Sequence, residues 1–324
     1  MMHKILFGAL WLTLPLAHST AGAAAYPQKT VTIVAPFAAG GAADTVARIV
    51  AGKLGEKIGQ TVIVENRAGA SGAIGSAHVA GATPDGYTLL VNLGPPHQTV
   101  GLFSKAVQYD PIEDFTAITL IATAPQAVVV PAASKIKTAR DLLEAARSSP
   151  KGITYGTSGI GTSQHLAGLL LASSQKAPMT HIAYRGGSAA LADVVGGQVD
   201  AGILVLSNVL PHVANGRLRM IGLVDANRSA SAPDIPTLAE NGITDFSVPD
   251  TWVGLLGPAK LPADVVQKLS SAMQDVLKEP DVRQQLTQAG YDVKGEGSDA
   301  FRNTLKSGFA VYQQIVGEAG IKPE

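Results

Sequence analysis

Short aliphatic and β-branched runs, each four or five residues long, alternate along this chain with stretches whose apolar residues recur every three or four positions. That alternation is the strongest limit on the fold, because strands apolar on both faces need helices to cover them and so belong to parallel sheets. Val31–Ala35 is the first strand. Over 42–58, Val46, Ile49, Val50, Leu54 and Ile58 fall on one helical face. Thr61–Glu65 and Tyr87–Val91 are further strands, with a helix over Gly72–Ala80 that a glycine-rich turn opens. A long β-prone run, Ala117–Val130, separates this set from a second: helices Ala139–Arg147, Ser163–Ser173 and Ala189–Val195 with strands Ile153–Tyr155, Thr180–Ala183 and Ala201–Leu206. Another strand-rich stretch, Phe246–Gly257, precedes helices over Ala263–Lys278, Asp281–Gln288 and Asp299–Ala319. The expectation is an α/β protein of two lobes in which the two strand-rich segments cross over and form a hinge. At 324 residues the chain exceeds what one core usually serves.

The N-terminus carries Lys4, an uncharged apolar stretch from Ile5 to Ala17, and Ala23-Ala24-Ala25 before Tyr26. This reads as a secretory signal peptide over residues 1–25, cut after Ala25. Cysteine is absent, which excludes disulfides, thiolate metal sites and a lipid-bearing N-terminal Cys. Basic and acidic residues balance at 25 each, and the leader holds Lys4 and no acid, so a basic field for nucleic acid is not expected. Beyond Ala25 no apolar run approaches the roughly 20 residues of a membrane span. The mature chain is expected to be exported, soluble and without a lipid anchor.

Directly after the first strand the chain reads Pro36-Phe37-Ala38-Ala39-Gly40-Gly41-Ala42-Ala43-Asp44-Thr45-Val46-Ala47-Arg48. A glycine bend at a strand-to-helix junction presents unpaired N–H groups at the positive end of a helix dipole, which suits a small anion. This stretch resembles the signature Pro-x-x-x-Gly-Gly-x-x-Asp-x-x-Ala-Arg of the periplasmic solute receptors of tripartite tricarboxylate transporters, the Bug receptor family. The similarity continues through Gly59–Arg67, Pro84–Leu89 and Tyr155–Gly161 and so spans nearly the whole mature chain. It implies a two-lobed periplasmic binding protein of the Venus flytrap, type II-like kind with two hinge crossover strands and a ligand cleft between the lobes. Lobe 1 is then discontinuous, 26–125 and 246–324, and lobe 2 is 126–245.

Candidate ligand contacts follow from the residues. Phe37, Ala38, Ala39, Gly40 and Gly41 form the first bend, where small side chains leave the backbone open. Asp44 complements the helix dipole or holds the bend. A second bend, Gly156–His165, again follows a strand and opens a helix, with hydroxyls at Thr157, Ser158, Thr162 and Ser163 and glycines at Gly159 and Gly161. His165 lies at its end. Tyr184-Arg185-Gly186-Gly187 resembles the family's Tyr-basic-Gly-Gly turn at the cleft edge; Arg185 either pairs with a ligand carboxylate or serves a solvated or interlobe role. Asp200 matches a recurrent acidic position of the family near the cleft, with a structural role the alternative. Asn92 and His97 sit in Val91–His97, where Pro95 and Pro96 stiffen a turn and remove two donors, a departure from the family pattern. Ser71, at another helix start, completes the set.

Enzyme signatures are missing: there is no Gly-x-Ser-x-Gly elbow, no phosphate-binding Gly-x-x-x-x-Gly-Lys loop, no His-Glu-x-x-His pair and no metal-ligand spacing of His. The expected function is a non-enzymatic receptor, without cofactor or metal. It binds a small carboxylate: a dicarboxylate, tricarboxylate, aromatic acid or acidic amino acid. A monomer is the default expectation, and the resemblance implies that it presents ligand to membrane permease subunits. Two alternatives stand beside it: a sensor partner of a membrane kinase, and a serine hydrolase resting on Ser163 and His165.

Overall fold

The computed structural model describes residues 26–323 apart from 245, 247, 319 and 321; the leader expected over 1–25 lies outside the described residues. The chain opens with β1 (Val31–Ala35), α1 (Ala42–Ile58), β2 (Val62–Asn66), a 3-10 turn (Ala70–Gly72), α2 (Ala73–Ala80), β3 (Thr88–Leu93), α3 (Gly94–Phe103) and β4 (Phe115–Thr123). It continues with β5 (Gln126–Pro131), α4 (Ala139–Ser148), β6 (Ile153–Thr157), α5 (Ser163–Ser174), β7 (Met179–Ala183), α6 (Gly187–Val195), β8 (Ala201–Val205), α7 (Leu206–Ala214) and β9 (Leu218–Leu223). The last elements are β10 (Trp252–Pro258), α8 (Ala263–Val276), α9 (Pro280–Gln288), β11 (Asp292–Glu296) and α10 (Ser298–Glu318).

These strands make two sheets, ordered β11-β4-β10-β3-β1-β2 and β7-β6-β8-β5-β9, and the fold is the expected α/β with helices on the sheets. In the first, β1 is parallel to β2 and β3; in the second, β6 is parallel to β7 and β8. Strand β4 is antiparallel to β10, which is antiparallel to β3, so β4 ends at the same edge as β1, β2 and β3. Strand β5 is antiparallel to β8, so it begins at the edge where β6, β7 and β8 end. Only Ala124 and Pro125 lie between β4 and β5, a reach of roughly 10 Å. The C-terminal edges of the two parallel strand sets therefore face each other.

The return passage from β9 to β10 crosses at this same edge. The two passages are laced together: Ala124 N–H donates to Thr251 O at 2.7 Å, Val224 N–H to Gln126 O at 2.9 Å, and Gln126 N–H to the Asp225 carboxylate at 2.7 Å. The β-prone run 117–130 thus folds as two strands in different sheets, broken where Pro125 has no N–H to donate.

One core fills the space between the first sheet, α1 and α8, built on Ile33, Val46, Val50, Leu54, Leu89 and Leu269. Another lies under the second sheet around Val128, Leu142, Tyr155, Leu166 and Ile203. Helix α10 serves both: Phe301 and Leu305 pack near Trp252 and β4, while Tyr312, Ile315 and Val316 join the second sheet's core. Two helices depart from the sequence expectation. The stretch around Pro95-Pro96 is a helix, α3, because proline in the first helical turn lacks only an N–H that has no partner there anyway. Helix α7 forms although Pro211 lies inside it, six residues into a helix of nine, close to its end.

Candidate functional site

Six of the parallel strands run into helices whose N-termini lie on the facing edges: α1, α2 and α3 from β1, β2 and β3, and α5, α6 and α7 from β6, β7 and β8. Helix α3 touches both the Ala70–Gly72 turn and α5, and thereby joins the two edges. Thr99 makes the closest link, its hydroxyl lying 2.7 Å from Pro95 O and 2.6 Å from Gly161 O across the gap.

In the first bend Gly40 adopts φ +78, the left-handed conformation that favours glycine. Its N–H donates to Asp44 Oδ2 at 2.8 Å, and Gly41 N–H donates to Ala38 O at 3.0 Å. Asp44 is 2% exposed, and its other oxygen accepts from Arg48 Nε and Asn66 Nδ2, both at 2.9 Å. Burial raises its pKa, but the bonds from Arg48, the Gly40 N–H and Asn66 outweigh this and hold it below the usual carboxylate range. Asp44 is thus the brace of the bend and has no oxygen turned to a ligand. The N–H groups of Ala38, Ala39, Ala42 and Ala43 find no acceptor among the described residues. Phe37 sets its ring against Gly72, where a Cβ would come within 3.0 Å of Cζ.

Ser71 is exposed in a turn where Gly69, Ala70, Ser71 and Gly72 all have positive φ, from 45 to 141. The two residues other than glycine cost about 1 to 2 kcal/mol each in this conformation. Asn92 and His97, by contrast, are interior residues. Asn92 donates to Ser76 Oγ at 3.0 Å and lies 3.2 Å from His97 Nδ1, while its oxygen accepts from Leu93 N–H. His97 is 1% exposed, with Nε2 3.0 Å from Pro111 O and its ring among Tyr109, Phe115 and Trp252. Burial pushes its pKa down to about 4, so it is a neutral core histidine. Its placement in an open turn is corrected by the same two prolines that start α3.

The second bend is stiffened from within. Thr162 caps α5, accepting from His165 N–H at 3.3 Å and donating to Gly159 O at 2.8 Å. Thr157 Oγ1 accepts from Gly159 N–H at 3.2 Å and lies 2.7 Å from His181 Nε2. Gly161 N–H donates to His165 Nδ1 at 3.2 Å, and the His165 and His181 rings stack 4.1 Å apart. Burial foremost pushes both histidines down to about 4, and His165 is lowered further because a second proton on the stacked pair would face the charge of a protonated His181. Capping and bracing thus claim Thr157, Thr162 and His165. The hydroxyls of Ser158 and Ser163, and the N–H groups of Ile160, Ser163 and Gln164, have no partner among the described residues.

Tyr184 donates its hydroxyl to Asp193 at 2.6 Å; burial, then that carboxylate, push its pKa up to about 12. Arg185 is exposed and makes no ion pair among the described residues. Asp200 is corrected in its place near the cleft and keeps the structural role that stood as its alternative: it accepts from Thr154 N–H and Oγ1, both at 2.8 Å, at the start of β6 and β8. In a parallel pair that is the far end of the strands from the bend. Two residues escaped the sequence reading: Thr99, which bridges to the second bend, and Asn208 of α7, whose amide fills the space over Gly187. Proline at a helix start was the available signal for the first; nothing in the sequence marked the second.

Chemically, the site offers main-chain N–H donors and helix dipoles for negative oxygen, with Ser158, Ser163 and Ser71 hydroxyls beside them. Ser163 and His165 make no hydrogen bond to each other among the described residues; His165 Nδ1 accepts from Gly161 N–H instead. No group of His, Cys, Asp and Glu suited to a metal occurs among the described residues, and none of their helices is long and apolar enough to cross a membrane.

Residues 46–320 match the tripartite tricarboxylate transporter family receptor. A UPF0065 protein from Pseudomonas sp. strain P51 is 37% identical, over 91% of this chain and 87% of that one. Among solved structures, a Rhodopseudomonas palustris protein, Rpa4515, solved with adipate, superposes with a TM-score of 0.84 at 29% identity, covering 93% of this chain and all (100%) of that one. MatC of the same organism, solved with bound malate, gives 0.79 at 30% identity, covering 90% and 100%.

Proposed function

The chain belongs to the tripartite tricarboxylate transporter receptor family, and from that premise we propose that it captures a small carboxylate between its two sheets and presents it to membrane permease subunits. Each sheet with its helices is read as a lobe, 26–125 with 246–324 and 126–245, hinged at the two laced passages. The protein works as an exported monomer in the periplasm and performs no chemistry on its ligand. The observation that carries this reading is the meeting of helix N-termini with open N–H groups at two facing edges. The anion is received by Ala42 and Ala43 on one side and Ser163 and Gln164 on the other. Donors on both lobes stabilise the closed form over the open one, and that difference is what a partner can recognise.

Charge-assisted hydrogen bonds contribute roughly 1.5 to 3 kcal/mol each, so four give about 6 to 12 gross, against an association cost of about 4 to 15. The lower part of that cost is met because the bends are already fixed by Asp44, Thr162 and His165. Native mass spectrometry of the purified mature chain, followed by thermal-shift screening against carboxylates, tests the reading. A stabilising acid recovered unchanged is the expected result. Absence of binding by any acid, or conversion of the acid to product, would overturn it.

A further inference from the structure

Among the described residues three large apolar side chains are exposed: Ile63 at 48%, Ile74 at 56% and Ile160 at 59%. Single exposed isoleucines are ordinary, but the last two sit at strand-to-helix junctions on the facing edges, one in each sheet's set. Ile160 stands inside the second bend, between Gly159 and Gly161. Ile74 is the second residue of α2, and its Cδ1 folds back over the left-handed turn: a Cβ on Gly69 would meet it at 2.4 Å. Each has an aromatic ring near its bend. Phe37 lies against Gly72, and Phe103 lies against Gly161, at 3.1 Å from where a Cβ would sit. Ile63 pairs with Thr32 near the start of β1, away from the facing edges.

Helix α3 touches the Ala70–Gly72 turn, α2, which carries Ile74, and α5, whose preceding bend carries Ile160. Each of the facing edges that carry the open N–H groups thus also carries an exposed isoleucine. Beyond Arg185, the charged side chains of the bends are engaged with each other, Asp44 with Arg48 foremost. We infer that the ligand carries an apolar body, an unbranched chain or an aromatic ring, beside its carboxylate, and that Ile74 and Ile160 clasp this body from opposite lobes. The inference rests on the carboxylate reading above and narrows it away from short hydroxy acids and tricarboxylates.

Isothermal titration of the mature chain with straight-chain monocarboxylates of increasing length, benzoate, malate and citrate decides the point. Affinity is expected to rise about fourfold per methylene until the cleft is filled. Ile74→Ser and Ile160→Ser should each weaken the longer acids at least tenfold while moving the shortest binding acid less than twofold. Ile63→Ser should change none of them. Affinity independent of chain length, a preference for malate or citrate, or an unchanged Ile160→Ser variant would overturn the inference while leaving carboxylate binding in place. Failure of every acid to bind would overturn the carboxylate reading and this inference with it.

Discussion

Proline at the first helical position removes one N–H and little else, which makes it a selective probe of main-chain anion binding. In α1 that position is Ala42, preceded by Gly41 at φ −73, ψ 168; in α5 it is Ser163, preceded by Thr162 at φ −73, ψ 157. Both preceding residues already hold the extended conformation that a following proline requires. The chain itself uses proline in the first turn of α3 and α9. Ala42→Pro and Ser163→Pro are therefore expected to leave stability unchanged or to raise it by up to about 1 kcal/mol. Each deletes one charge-assisted donor worth roughly 1.5 to 3 kcal/mol, so the dissociation constant should rise about 10- to 150-fold. Ser163→Ala, which keeps the N–H, separates the loss of the hydroxyl from that of the amide. Titration calorimetry and a melting curve on each variant supply both numbers. A well-folded Ala42→Pro or Ser163→Pro protein that binds within twofold of the parent would refute the assignment of that amide to the anion.

Three further outcomes are expected. Thr99→Val keeps the packing of α3 but removes the hydroxyl between Pro95 O and Gly161 O, and should weaken ligand binding by about three- to tenfold, equal to roughly 1 kcal/mol for one net hydrogen bond; unchanged binding would show that the link across the gap is idle. Gly40→Val meets no atom within 4 Å but must hold φ +78, so it should cost about 1 to 2 kcal/mol in thermal stability and loosen the first bend, weakening binding at least tenfold; a variant equal to the parent in both would contradict this. Burial foremost, with Asp250 and Asp292 adding to it against the Gln126 N–H, pushes Asp225 up to about 7. Its folded pKa lies above the unfolded value, so its contribution is full below about pH 4 and is lost as pH rises through 7, by up to about 4 kcal/mol. Asp225→Asn should abolish that loss; the effect is read as the difference from the parent, because His97, His165 and His181, held near 4, gain stability over part of the same range. Parallel pH curves for the two proteins would count against it.

The strand–glycine–helix units were legible because each rests on local chemistry: β-branched runs, helical spacing, and glycine at the junction, as at β1–α1 and β6–α5. What local chemistry does not carry was missed. Proline reads as a breaker until one knows that it occupies a helix's first turn, so α3 looked like a turn and His97 looked open. Strand β11, with charge at three of five positions and Gly295 at φ +71, lacks the apolar signal of a sheet's interior because it is an edge. Strand β9, Leu218–Leu223, went unmarked because its arginine interrupts a short apolar run. Asp200 was placed near the cleft by the family likeness, although a residue that precedes a strand lies at its N-terminal end, opposite the bends that follow the parallel strands. Hydroxyls at the second bend were visible as a group, but their division between bracing and open donors depends on His181 and His165, brought in by tertiary packing.

The most direct measurement is the structure of the mature chain with its own carboxylate bound. A carboxylate oxygen within about 3 Å of the amide nitrogens of Ala42 or Ala43, and another such contact to Ser163 or Gln164, is the expected result. A ligand held chiefly by the Arg185 guanidinium, or seated away from both bends, would contradict the account.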